Sequence, residues 1–289
     1  MIRLAIRVRR ADAELVLAEL LELAPGGVEE RELDGESVEF AVYGPPGELP
    51  ELPDLHAAAG EALIEVSSDT VAEDWQERWK RFHRPIAIVS PHPAIVPGIR
   101  VRPPWEEPAA RTQQEIEIEI EPGRAFGTGA HASTRLCLEL LLELSAELLP
   151  EGEGSVSLCD LGTGSGVLAI AAARLGYGPV WALDNDPLSI AATRANARAN
   201  DVTLISSRVD LREPAPLPAR CDVLLANLLR PLLLELAERL EPVPKHLIAG
   251  GLLREEAREI VTAFARLGMR ERARRHSGEW AVLWLQRRP

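Results

Sequence analysis

From residue 155 onward the chain alternates between two rhythms, and that alternation restricts the fold more than any other feature. Short apolar runs fall at 155–161, 180–184, 203–206, 221–226 and 246–249, and segments of helical period fall between them at 167–175, 187–199, 231–240 and 254–267. Strands separated by helices are not hairpin partners. They line up in parallel, and the helices cover both faces of an open α/β sheet. In a doubly wound sheet of this kind a ligand lies at the carboxyl ends of the strands, where strand order reverses. Residues that end strands are therefore the ones to read for chemistry.

The first of these strands runs into Asp160-Leu161-Gly162-Thr163-Gly164-Ser165-Gly166, and Val167-Leu-Ala-Ile-Ala opens a helix directly after it. Glycines are needed where a ligand lies against the backbone, because a Cβ would hold it off. The nicotinamide pattern Gly-x-Gly-x-x-Gly fails, since position 167 is valine. The form Asp-x-Gly-x-Gly-x-Gly is the one that methyltransferases use, which makes Asp160, Gly162, Gly164 and Gly166 candidate contacts to S-adenosylmethionine. Asp184 ends the next strand, 24 residues on. There an ionised carboxylate meets both ribose hydroxyls and can accept from each.

Asp186-Pro187 reads as a helix start, with aspartate as cap and proline in the first turn. Asp210 follows the third strand and is either an adenine-side contact or part of an ordinary turn. Asn227 ends the strand 221–226, again on the ligand side. Its carbonyl can accept from a substrate amine while its NH2 donates to the cofactor, so one residue orients both reactants. The competing reading makes Asn227 a cap for the helix near Pro231.

Upstream, Pro122-Gly-Arg-Ala-Phe126-Gly127-Thr128-Gly129-Ala-His131-Ala-Ser133-Thr134 precedes an amphipathic helix. Two glycines bracketing a threonine permit close approach to a ligand, and Ser133 or Thr134 can cap the helix that follows. His131 is either a base or a surface loop residue. No second histidine stands at ligand spacing, so no metal site is expected.

The first 68 residues read as β-α-β-β-α-β, the split ferredoxin-like arrangement, with Asp34-Gly35 as a hairpin turn. Residues 69–100 read as a linker: a helix with Trp75, Trp79 and Phe82 on one face, then a proline-rich extended segment. The range 101–289 is then the α/β domain. Within it, isoleucine and glutamate alternate over 114–121, a strand with one acidic face. That face either attracts a basic substrate or is simply solvated.

A formal net charge of −13 repels phosphate backbones and makes nucleic acid a poor first partner. Arg3, Arg7 and Arg9 share one strand face, which a solvated surface explains without RNA. Apolar runs such as Leu136 to Leu149 are broken by Glu139 and Glu143, so no membrane span is expected. The start alternates rather than forming a secretory core. Three cysteines without Cys-x-x-Cys spacing fit a reducing cytoplasm.

Taken in order, these segments resemble the PrmA-type family, bacterial methyltransferases of large-subunit ribosomal protein L-eleven. The matching residues are Asp74-Trp75-x-x-x-Trp79 with Phe82, Pro104-Trp105-Glu-Glu-Pro108, the Phe126-Gly-Thr-Gly129-x-His131-x-x-Thr134 segment, the glycine turn, Leu183-Asp184-x-Asp186-Pro187 and Ala226-Asn227-Leu. The resemblance runs from about residue 70 to 260, and the phenylalanine segment is its specific part. It implies that Phe126, Gly127, Thr128, Gly129, Thr134, Gly162, Asp184 and Asn227 form the cofactor site. It implies also that the first domain captures the ribosomal protein so that its amino groups reach the active site. Ser133 and Asn227-Leu-Leu-Arg230 depart from the family's commoner residues, and Arg230 bears on substrate contacts. Paralogues with this core methylate other lysines, so another protein lysine or a small amine is the alternative target, with a non-enzymatic scaffold behind it.

Overall fold

The computed structural model describes residues 2–24, 28–33, 36–44, 49–50, 52–70, 83–108, 115–122, 131–149, 155–211, 218 and 221–288. Asp34-Gly35, Trp75, Trp79, Phe82 and Phe126 to Gly129 lie outside these residues. The chain divides into two compact units, residues 1–82 with 122–126, and residues 83–121 with 127–289.

In the first unit β1 (Ile2–Arg9), β2 (Glu29–Glu32), β3 (Ser37–Gly44) and β4 (Leu63–Thr70) pair in the order β2-β3-β1-β4, with α1 (Ala13–Leu23) and α2 (Leu52–Ala59) between them in sequence. Every pairing is antiparallel, as the split ferredoxin-like arrangement requires. Alternation sorts the two faces. Leu4, Ile6, Val8, Val38, Phe40 and Val42 pack on Val16 and Leu20 of α1 and Leu55 of α2. On the other face Arg3 pairs with Glu39 and Tyr43, and Arg7 donates to Ser37 Oγ at 2.9 Å. This face, expected as simply solvated, is a polar network.

In the second unit β5 (Ile86–Ile88), β6 (Gly98–Arg102) and β7 (Glu115–Glu119) form a small sheet. Part of the stretch expected as linker is thus sheet. The prolines at 85, 91, 93, 97, 103 and 104 flank the strands and never occupy them, so each strand keeps its N–H donors. The acidic face of β7 meets a basic one. In parallel register Arg100 faces Glu117 and Arg102 faces Glu119. The Arg102 side chain, 9% exposed, lies 2.8 Å from Glu117 and 2.9 Å from Glu119. Glu117 and Glu119 thus depart from both expectations, their charge being met within the sheet, while Glu115 and Glu121 at the two ends are exposed as a solvated face would be.

There follow α3 (Ala132–Leu148), β8 (Leu158–Leu161), α4 (Val167–Leu175), β9 (Val180–Asp184), α5 (Pro187–Ala199), β10 (Ile205–Arg208), β11 (Val223–Asn227), α6 (Arg230–Arg239), β12 (His246–Leu253), α7 (Ala257–Ala265), β13 (Met269–Ser277) and β14 (Trp280–Arg287). The large sheet has the order β10-β9-β8-β11-β12-β14-β13, with all strands parallel except β14, which runs antiparallel to its neighbours β12 and β13. This is the class I methyltransferase architecture. Alternate strand residues feed two cores. Leu158, Val223, Leu225 and Ile248 pack with α3 and α4. Cys159, Leu224, Leu247 and Leu283 pack with α6 and α7. Strand order reverses between β8 and β11, which opens the crevice beside the glycine turn.

Candidate cofactor and catalytic site

Asp160, Asp184 and Asn227 come from three neighbouring strands, β8, β9 and β11, at their carboxyl ends. The turn after β8 is built for close approach. Gly162, Gly164 and Gly166 all sit at positive φ, 71°, 54° and 85°, which side-chain-bearing residues adopt only with strain. A Cβ on Gly162 would stand 2.4 Å from Leu228 Cδ2, so the chain leaving β11 packs directly on the turn.

The Asp184 carboxylate is anchored before any ligand arrives. Oδ2 accepts from the Gly164 amide at 2.9 Å and Oδ1 from the Asp186 amide at 3.0 Å. A carboxylate has about four lone-pair directions. One on each oxygen therefore remains for an external donor such as a ribose hydroxyl. Asp186 is the cap of α5, accepting from Leu188 and Ser189 amides at 2.9 and 3.1 Å. Asp210 follows Val209, whose amide donates to the Asp184 carbonyl at 2.8 Å, so it lies at the same edge of the sheet.

Asn227 is not a helix cap. The capping position of α6 is Leu229, with no side-chain cap bond. Asn227 pairs with Gly250 across β12, its Nδ2 donates to buried Thr134 Oγ1 at 3.5 Å, and its buried Oδ1 has no partner among the described residues. Gly250 permits this arrangement, since a Cβ there would lie 2.7 Å from Asn227 Oδ1 and 2.6 Å from Cys137 Sγ. Thr134 lies within α3, and neither it nor Ser133 is the cap. His131 holds that position: its Nδ1 accepts from the Ser133 amide at 3.3 Å, and its ring meets Trp280 edge-on at 4.6 Å. Burial lowers its pKa, which keeps the ring a neutral acceptor, so His131 is a cap and not simply a surface loop residue.

The residues present fit an organic cofactor that carries N–H and O–H donors. Two buried acceptors, Asn227 Oδ1 and Asp160 Oδ1, lack partners among the described residues, and Asp184 keeps acceptor capacity. Among the described residues no group of three His, Cys, Asp or Glu side chains could hold a metal ion.

The family described as Ribosomal protein L11 methyltransferase (PrmA) matches residues 52–288. A relative of that name from Syntrophotalea carbinolica is 36% identical over an alignment of 312 residues, covering 98% of this chain and 96% of the relative. The chain belongs to this family. A second relative so named, from Pelobacter propionicus, is 36% identical across 77% of this chain and 69% of its own. The crystal structure of ribosomal protein L11 methylase from Lactobacillus delbrueckii subsp. bulgaricus superposes with a TM-score of 0.59 at 25% identity, over 72% of this chain and all of that one.

Family membership gives the fully buried Asp160 added interest. Burial pushes its carboxyl up to about 7, neighbouring Asp184 adds to the rise, and the 2.7 Å hydrogen bond from Thr163 opposes it. The unfolded value is about 3.9. Between these two pH values the native state keeps a proton that the unfolded chain has released, so the contribution of Asp160 to stability is greatest below pH 4, falls as pH rises to about 7, and is level above. Urea midpoints across pH 4 to 8 should fall less steeply for Asp160→Asn than for the unaltered chain. Equal slopes would mean that Asp160 is ionised throughout.

Sequence reasoning passed over Gly250, Cys137, Thr193 and Asn196. The last two carried a signal, polar residues three apart on a helix whose C-terminal cap, Asn200, follows one turn on, and all three are buried.

Proposed function

We propose that this chain transfers methyl groups from S-adenosylmethionine to amino groups of large-subunit ribosomal protein L11. The observation that carries the reading is Asn227, a half-buried amide at the end of β11 whose buried Oδ1 has no partner among the described residues and whose chain neighbour Leu228 packs on the glycine turn. The names of the family and its relatives supply the protein target. Gly162, Gly164 and Gly166 form the cofactor bed, and Asp160, Asp184 and Asp210 line its edge. Phe126 to Gly129 and Thr134 complete the set. The first unit serves recognition of the protein. A cytoplasmic place of action goes with a ribosomal protein target, and among the described residues no helix is long and apolar enough to cross a membrane.

Bound S-adenosylmethionine supplies an activated methyl group on a sulfonium, so the chain's own residues need only bind, align and deprotonate. A lysine ammonium has a pKa near 10.4, and freeing its lone pair at pH 7 costs about 4.6 kcal/mol. A buried site lowers that cost by disfavouring the charged form. Asn227 Oδ1 then accepts an N–H of the neutral amine and points its lone pair along the line of transfer. Thr134 holds the Asn227 amide in place. No enzyme nucleophile is required.

The test is incubation with methyl-labelled S-adenosylmethionine and a total ribosomal protein extract. Label should appear on L11, on lysine or the N-terminal amine. Label confined to other proteins, or to RNA, overturns the reading. Asp184→Ala should weaken S-adenosylhomocysteine binding about 10- to 150-fold, for a loss of about 1.5 to 3 kcal/mol from a charged acceptor. Calorimetric titration reads this directly, and unchanged affinity would remove Asp184 from the site.

A further inference from the structure

We propose that Thr193 and Asn196, on the buried side of α5, are positioning residues that set the shape of the cofactor turn. The inference rests on the reading of 162–166 as the cofactor bed. Thr193 Oγ1 donates to the Gly164 carbonyl at 2.9 Å, and Asn196 Nδ2 donates to the Ser165 carbonyl at 2.8 Å. The Thr163 carbonyl accepts from the Gly166 amide at 2.8 Å. Three successive carbonyls are thus committed to partners within the protein. Glycine leaves the peptide planes on either side of it free to rotate. Two of the three carbonyls are fixed from α5, whose Thr193 Cγ2 would stand 3.0 Å from a Cβ on Gly166, and the third is fixed within the turn.

Asn196 reaches a second element. Its Oδ1 accepts from the Glu121 amide at 3.2 Å. One turn on, Asn200 takes both backbone groups of Glu119, accepting from its N–H at 2.8 Å and donating to its carbonyl at 2.6 Å. The two asparagines bind the end of β7 as a neighbouring strand would. With a carbonyl on one side and an amide on the other, the orientation of each side chain is determined. Glu121 leads into 122–131, the segment that includes Phe126 to Gly129. Asn196 therefore links the glycine turn to the root of the other segment assigned to the cofactor, at a residue only 4% exposed.

Buried polar side chains must be bonded somewhere, so a purely structural role has to be told apart. The full chain is titrated calorimetrically with S-adenosylhomocysteine, with thermal melts to establish that each variant is folded. Thr193→Val keeps the shape and removes the hydroxyl. It should lose about 10-fold in affinity, as expected for one buried hydrogen bond, while Thr193→Ser stays within about 2-fold of the parent. In turnover KM for S-adenosylmethionine should rise with kcat at saturation unchanged, and amide exchange at Gly164 to Gly166 should quicken in the unliganded protein. Asn196→Asp adds a pH signature. Protonated, it donates to the Ser165 carbonyl as asparagine does; ionised, it repels that oxygen. Its affinity relative to the parent should therefore recover as pH falls.

If Thr193→Val melts lower but binds as tightly as the parent, with unchanged turn exchange, the residues are structural and the proposal is wrong. If the parent chain itself binds no S-adenosylhomocysteine, the cofactor reading fails first and takes this inference with it.

Discussion

Replacing Asn227 with alanine should lower kcat about a hundred-fold or more while leaving cofactor affinity within about 10-fold, because orientation of the amine is lost and only one neutral hydrogen bond is removed. The structure makes this a clean experiment. Leu229, not Asn227, occupies the capping position of α6, so the substitution uncaps nothing. The backbone is held independently, with Leu228 N donating to the Gly250 carbonyl at 3.1 Å. Asn227→Asp is the informative companion. It keeps an acceptor but loses the donor to Thr134, and it should retain more activity than alanine if acceptance from the amine dominates. Single-turnover rates equal to the parent in a folded, cofactor-saturated Asn227→Ala would remove the residue from the catalytic centre.

Much of the α/β unit was legible because its punctuation is local. Glycine at 166 and 176 brackets α4, and Asp186-Pro187 starts α5, so both helices fall where the pattern placed them. The hairpin β13–β14 escaped the strand and helix pattern. β13 is an edge strand written Met-Arg-Glu-Arg-Ala-Arg-Arg-His-Ser, without apolar alternation. Its polar side chains find partners far away in sequence, Arg275 on Glu143 at 2.6 Å and Arg272 on Glu147 at 3.4 Å, both on α3. The acidic face of β7 shows the same limit. Its meaning depended on Arg100 and Arg102 of the adjacent strand, a pairing that no window along the sequence contains.

The site divides in the same way. Asp184 and Asn227 could be read from where strands end, but the competing cap reading for Asn227 was settled only by the placement of Leu229. His131 was misjudged because capping depends on the backbone bend at one residue, φ −67° and ψ 140°, rather than on residue type. A histidine ring there does the work that serine or threonine was expected to do.

Gly250 offers the strongest test of how tightly Asn227 is held. Alanine at 250 places a methyl group 2.6 Å from Cys137 Sγ, 2.7 Å from Asn227 Oδ1 and 3.3 Å from Val282 Cγ2, so neighbours must move. Overpacking of this kind costs about 1 to 3 kcal/mol. The same methyl group displaces the Asn227 carbonyl, and a misplacement of about 1 Å can cost a hundred-fold in rate. Gly250→Ala should therefore lower both the melting temperature and kcat. Cys137→Ala in the same chain separates the two effects, because it removes the sulfur and leaves the amide contact. The double variant should regain much of the stability lost by Gly250→Ala but little of the rate. Recovery of kcat together with stability would show that the loss came from general loosening of the packing between β12 and α3, and that the position of the Asn227 amide does not govern the chemistry.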